Sequence, residues 1–146
     1  MATFLHRPLL WRLAHVAVGV WVGMMIAQAF IGAPLVFGAV PEHIASKDQA
    51  GRVIGPGFGR IDVVGLVALT MLLAVYATRG LGRTWRAGLA AVLLAAVAVD
   101  AFHIAPQIVA RAEGLQTYHR IATGIWMAGI LGGLLLLLFP APSVRD

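Results

Sequence analysis

The chain has 146 residues, 60% of them hydrophobic and 12% charged, with a mean hydropathy of +0.89, a composition that excludes an ordinary water-soluble domain and makes lipid the expected solvent. A net charge of +5 and a pI near 11.1 would suggest nucleic acid in a soluble protein, but the arginines stand mostly at the ends of apolar runs, where guanidinium groups meet headgroups. The lipid bilayer, not nucleic acid, is therefore the expected partner, and the absence of cysteine removes disulfides, thiolate metal sites and cysteine nucleophiles.

The first apolar run, Leu9–Val40, covers 32 residues. As a helix it would be ~48 Å long, more than the ~30 Å of a hydrocarbon core. It must tilt, kink or emerge, and Pro34 is the expected place because it lacks a backbone donor and crowds the preceding turn. Arg7 and Arg12 precede the apolar stretch that begins at Leu13, and Ala27-Gln28-Ala29 has the small-x-small form of a signal cleavage site. The run continues past that tripeptide, so a retained first helix is expected.

Pro41–Arg60 reads as the longest polar connection and carries Gly51, Gly55, Gly57 and Gly59. Its Gly-Pro-Gly-Phe-Gly resembles a phosphate loop only superficially, because no strand precedes it; a short amphipathic or re-entrant interfacial segment is expected. The second span follows at about residues 60–78 and ends at Arg79. The connection Gly80–Arg86 adds Arg83 and Arg86 and contains no acid. A third span is expected over about residues 87–109, closed by Pro106 and Gly114, and a fourth over 119–139, closed by Pro140. The predicted fold is all-α: an integral membrane four-helix bundle forming a single transmembrane domain over residues 1–146. Both termini share a side with the arginine connection. The Lys and Arg count is six on that side and five on the other, which places the protein in the cell membrane with cytoplasmic termini.

Small residues recur every fourth position: Gly19, Gly23 and Ala27 on the first helix; Ala87, Ala91 and Ala95 on the third; and Gly124, Ala128 and Gly132, with Gly129 and Gly133 beside them, on the fourth. Such stripes let helix backbones approach closely. They are expected to serve packing within the bundle, with self-association or contact with other membrane subunits as the alternative.

Polar residues inside the spans carry the functional signal. Asp62 lies 17 residues before Arg79, and His103 lies 17 after Arg86, ~25 Å along their helices. Gln28 reaches a similar height, Asp100 lies one turn deeper and His119 one turn further out. These five converge on the loop-rich face, with Arg60 and Arg120 just outside. Ionisable groups in a spanning helix are costly unless paired. Asp100 and His103, at i and i+3, are expected to share a helix face. A structural ion-pair network is the first expectation, joining Asp62 or Asp100 to Arg60, Arg120 or a histidine. The alternatives are a metal or proton site on Asp62, Asp100, His103 and His119, or haem held by His103 and His119. Thr70, Thr78 and Thr123 have no triad partners, so no catalytic residue is assigned. The expected function is that of a non-enzymatic membrane protein, a structural or accessory subunit. The alternative is a haem-, metal- or proton-binding protein using the polar layer.

Gly32-Ala-Pro-Leu-Val-Phe37, Gln49-Ala-Gly-Arg-Val-Ile-Gly-Pro-Gly-Phe58 and Tyr118-His-Arg-Ile-Ala-Thr123 carry a resemblance. The chain resembles the small four-helix membrane family of unknown function that includes bacterial relatives of transmembrane protein 205. The family pattern maps onto Pro34 and Phe37, Ala50-Gly51 and Phe58, Pro106, and His119. An Asn that often follows the histidine in that family is absent here. The resemblance implies a topology and no reaction. The first helix is also similar to that of the copper-resistance protein D membrane domain, which would imply copper transport, although no Met or Cys cluster accompanies it.

Overall fold

The computed structural model describes residues 3–38, 47–110 and 113–139. The start of the Pro41–Arg60 connection, Arg111 and the tail from Pro140 onward lie outside those residues. The described chain is built of helices: α1 (Thr3–Ala27), a π turn (Gln28–Gly32), α2 (Ala33–Gly38), α3 (Lys47–Thr78), α4 (Trp85–Val99), a second π turn (Asp100–Ile104), α5 (Ala105–Val109) and α6 (Leu115–Leu138). They compose four stretches long and apolar enough to cross a membrane, Leu9–Gly38, Gln49–Thr78, Trp85–Val109 and Leu115–Leu138. The protein is a multi-pass membrane protein with an all-α, four-helix architecture.

Helices are the form lipid imposes, because each satisfies its own backbone donors and acceptors where no water can. One sequence expectation is overturned. The glycine-rich stretch from Lys47 to Arg60 is the first part of α3 and not a loop, even with Pro56 inside the helix. α3 is longer than a ~30 Å hydrocarbon core requires, and packing supports its first turns, where Ala50 and Ile54 are buried.

α1 packs on α3 and α6, and α4 packs on the same two helices. The spans therefore stand in cyclic order, with the first and third on a diagonal. Ala14, Val18, Trp21, Val22 and Met25 form the buried stripe of α1 at helical spacing, facing Leu69 and Leu72 of α3 and Ile130 and Leu136 of α6. Meanwhile Phe102, Val109 and Leu138 are 74%, 82% and 70% exposed. Large apolar side chains turned outward all round the bundle are what a hydrocarbon solvent permits and water would not.

Close helix approach comes from glycines on α3 and α6. A Cβ at Gly132 would meet Leu93 of α4 at 2.9 Å, and one at Gly129 would meet Met25 Cε at 2.8 Å. At Gly65 it would meet the Trp21 indole, and at Gly133 the side chain of Val22. The predicted stripes are thus only partly packing faces. Gly129, Gly132 and Gly133 are buried. Gly23 and Ala27 turn outward, as do Ala91, Ala95, Gly124 and Ala128. Ala87 of the α4 stripe and Gly132 of the α6 stripe are buried, but the inward face advances by three or four residues at a step (Ala87, Ala90, Leu93 and Val97; Trp126, Gly129, Gly133 and Leu136), so a strict four-residue stripe drifts off it.

Gly132→Leu is expected to overpack the α4–α6 seam and cost about 1–3 kcal/mol. Gly124→Leu, at a position with nothing within 4 Å, should stay within about 0.5 kcal/mol. Unfolding of both variants in mixed micelles measures the difference, and equal stabilities would refute the packing assignment.

Candidate functional site: a buried carboxylate pair

Asp62 on α3 and Asp100 at the end of α4 are each only 3% exposed. Trp126 of α6 donates its indole N–H to Asp100 Oδ2 at 3.2 Å. The same indole faces the carboxyl of Asp62, which lies within electrostatic reach of Asp100. Three helices thus bring two acids and one neutral donor to a single point. The other carboxylate oxygen, Asp100 Oδ1, is buried without a hydrogen-bond partner. Phe58 closes the cluster by standing edge-on to Trp126, with ring centroids 4.5 Å apart.

Gln28 of the first span lies against α3 at Gly57, five residues before Asp62. Its Oε1 occupies the space above Gly32, 2.8 Å from where a Cβ would stand, and its Nε2 lies 3.1 Å from a Cβ built at Gly57. Glycine at those two positions lets a polar side chain lie between α2 and α3.

The expected ion-pair network does not form. Among the described residues no salt bridge reaches Asp62 or Asp100, and Arg60 and Arg120 are exposed. His103 and His119 are exposed as well, so the acids and histidines proposed as metal ligands are split between the interior and the surface. No group of three or more His, Cys, Asp or Glu side chains comes together among the described residues. The separation of His103 from Asp100 has a local cause. Both belong to the π turn Asp100–Ile104, whose i→i+5 bonding turns less per residue than an α-helix. An i,i+3 pair that would share an α-helical face is rotated apart.

The π turns also carry a signal that spacing arguments missed. Gln28-Ala-Phe-Ile-Gly-Ala-Pro34 and Asp100-Ala-Phe-His-Ile-Ala-Pro106 agree at Ala-Phe and Ala-Pro, and a π turn begins at the first residue of each. The proline has no N–H for the carbonyl four residues back, Phe30 or Phe102, and its ring crowds that carbonyl. The preceding amide reaches one residue further: Ala33 N–H bonds to Gln28 O and Ala105 N–H to Asp100 O. Phe58-Gly-Arg-Ile61 and Tyr118-His-Arg-Ile121 repeat the pattern of aromatic-x-Arg-Ile on the partner spans. Comparing the chain with itself would have marked Gln28 and Asp100 as equivalent positions, and interrupted helices at matching points of two halves are a pointer to a binding site.

Trp126→Phe keeps the ring against Phe58 and removes the donor to Asp100. It should cost about 1–3 kcal/mol, the penalty for a buried polar group left unpaired. Detergent unfolding that shows no loss would remove Trp126 from the cluster's support.

Residues 16–116 match a family described as a domain of unknown function, DUF4149. The match spans most of the chain, including Gln28, Asp62 and Asp100, and the protein belongs to that family. No curated protein and no solved structure matches it.

Proposed function

We propose that this family member is a non-enzymatic membrane protein whose working part is the Asp62–Asp100 pair, which holds a proton or a small monovalent cation inside the bundle. One observation carries the reading: two neighbouring buried carboxylates with no basic partner among the described residues. Two like charges side by side in a low-dielectric interior are costly. A shared proton or a small cation removes one of them, and the unpartnered Asp100 Oδ1 offers an acceptor. A purely structural role would be served by Asn, which gives Trp126 the same acceptor without the charge. The π turn supplies the second ingredient, a helix broken where it lines the polar group.

The accessory-subunit reading rests on a different observation. Gly23 and Ala27 face outward, and nothing lies within 4 Å of a Cβ at Gly19 or Gly23. A small-residue face of this kind suits another helix, from a second copy or a larger assembly. The finer kinship with bacterial relatives of transmembrane protein 205 rests on Pro34, Phe37, Ala50-Gly51, Phe58, Pro106 and His119, and the more distant one with the copper-resistance protein D membrane domain on the first helix. A place in the cell membrane with cytoplasmic termini rests on the acid-free arginine connection. A C-terminal reporter active only after export would reverse that orientation.

Infrared spectroscopy of the protein in lipid tests the pair. At neutral pH the wild type should show a protonated-carboxyl band, or a cation-dependent rise in thermal stability, and Asp62→Asn with Asp100→Asn should abolish whichever is seen. If the wild type gives neither signal, or the double variant retains it, the reading fails.

A further inference from the structure

At the opposite end of the bundle lies a cluster that the carboxylate pair does not explain. α3 ends in a Schellman motif: Gly80 takes a positive φ of 70°, with Leu81 N–H bonded to Tyr76 O at 2.8 Å and Gly80 N–H to Ala77 O at 3.2 Å. Thr84 then caps α4, its Oγ1 accepting from Ala87 N–H at 3.4 Å. This tight connection drives Arg86, in the first turn of α4, back into the bundle.

Arg86 is 8% exposed, and its Nε and Nη1 are buried without a hydrogen-bond partner. Tyr76 is 1% exposed, its hydroxyl is likewise unpartnered, and it lies within electrostatic reach of the Arg86 guanidinium. The guanidinium is backed by Trp85, 5.2 Å from the ring centroid. Trp11 stands against Tyr76 with ring centroids 5.7 Å apart and planes tilted by 52°, and is covered by Arg79 at 4.8 Å. No acid occurs between Val63 and Val99. A buried guanidinium with its Nε and Nη1 left without an acceptor is a high-energy arrangement. A hydroxyl beside it that also has no partner makes two neighbouring groups waiting for the same acceptor.

We propose that Arg86 and Tyr76 form a binding site for a phosphate group, a monoester or diester anion. The guanidinium fork matches two phosphate oxygens and the tyrosine hydroxyl a third contact. The start of α4, which has no acid in its first turn, adds the positive end of a helix dipole. A lipid headgroup and free phosphate present the same chemistry. The headgroup has an extra opportunity here, because an apolar groove lined by Leu10, Met71, Ala74, Val75 and Thr78 runs along the α1–α3 seam at this end, where an acyl chain would lie.

The test uses the purified protein in phosphate-free dodecyl maltoside micelles, in two arms: added phosphatidylglycerol, and added inorganic phosphate. Binding is read by native mass spectrometry and by the concentration dependence of thermal stability. Arg86→Gln is expected to weaken binding about tenfold or more, as loss of a charged hydrogen-bond pair does. Arg83→Gln, at an exposed position on the same connection, should change it less than about twofold. Tyr76→Phe removes one oxygen and is expected to weaken binding about threefold to tenfold, which keeps the test decisive if Arg86→Gln does not fold. Binding in the first arm alone identifies a lipid site, and binding in the second identifies a free-anion site. The proposal falls if neither anion binds, if Arg83→Gln costs as much as Arg86→Gln, or if Tyr76→Phe leaves binding unchanged.

Discussion

Trp21 heads the fully buried side chains by volume, and the bundle is arranged around it. Its indole lies over Gly65 of α3, and its far ring edge comes within 3.5 Å of where side chains at Gly129 and Gly133 of α6 would begin. In lipid no hydrophobic force pulls helices together, so contact area and close approach must do it. One large ring set into three missing side chains supplies both at once, joining α1 to α3 and α6. Leu93 over Gly132 repeats the device on a smaller scale for α4. The level of every other residue follows from this fit, including those of the carboxylate pair one to two turns above it.

The four spans were legible because length and apolarity are nearly sufficient for that decision in a bilayer. The glycines and Pro56 of α3 pointed to a loop because local propensity is a weak prior that packing overrides, as the burial of Ala50 and Ile54 shows. Counting from the arginines put Asp62, Asp100 and Gln28 within about a turn of one another; α3 and α4 bring the two acids together, whereas Gln28 lies against Gly57, five residues before Asp62. The same counting could not tell which way each side chain faces. Proximity in depth says nothing about azimuth, and the π turn changes azimuth without changing depth. His103 was lost from the cluster for that reason. Trp126 is the donor that Asp100 uses, and an indole N–H gives no sequence signal of its partner.

The two ends of the protein carry opposite chemistry. Near the loop-rich end the buried charges are acidic and their donor is neutral; near the arginine connection the buried charge is basic and its neighbours are aromatic. Neither end neutralises itself among the described residues, and the apolar core around Trp21 keeps them apart. A soluble protein of this size would bring such groups together on a shared surface. Here the membrane's thickness holds them at separate depths.

The breaks in the helices have a mechanical consequence. The first span is interrupted at Gln28–Gly32 and the third at Asp100–Ile104. The second contains Pro56, adjacent to the Gly57 that meets Gln28. Three of four rods are therefore weakened at about one height, while α6 runs unbroken from Leu115 to Leu138. Stiffness along the membrane normal is thus uneven: a rigid lower block clamped by Trp21, a compliant collar at the level of the carboxylates, and α6 as the mast running through both. Thickening or bending of the bilayer would concentrate its strain in that collar. The acids sit at the one height where the bundle yields most easily.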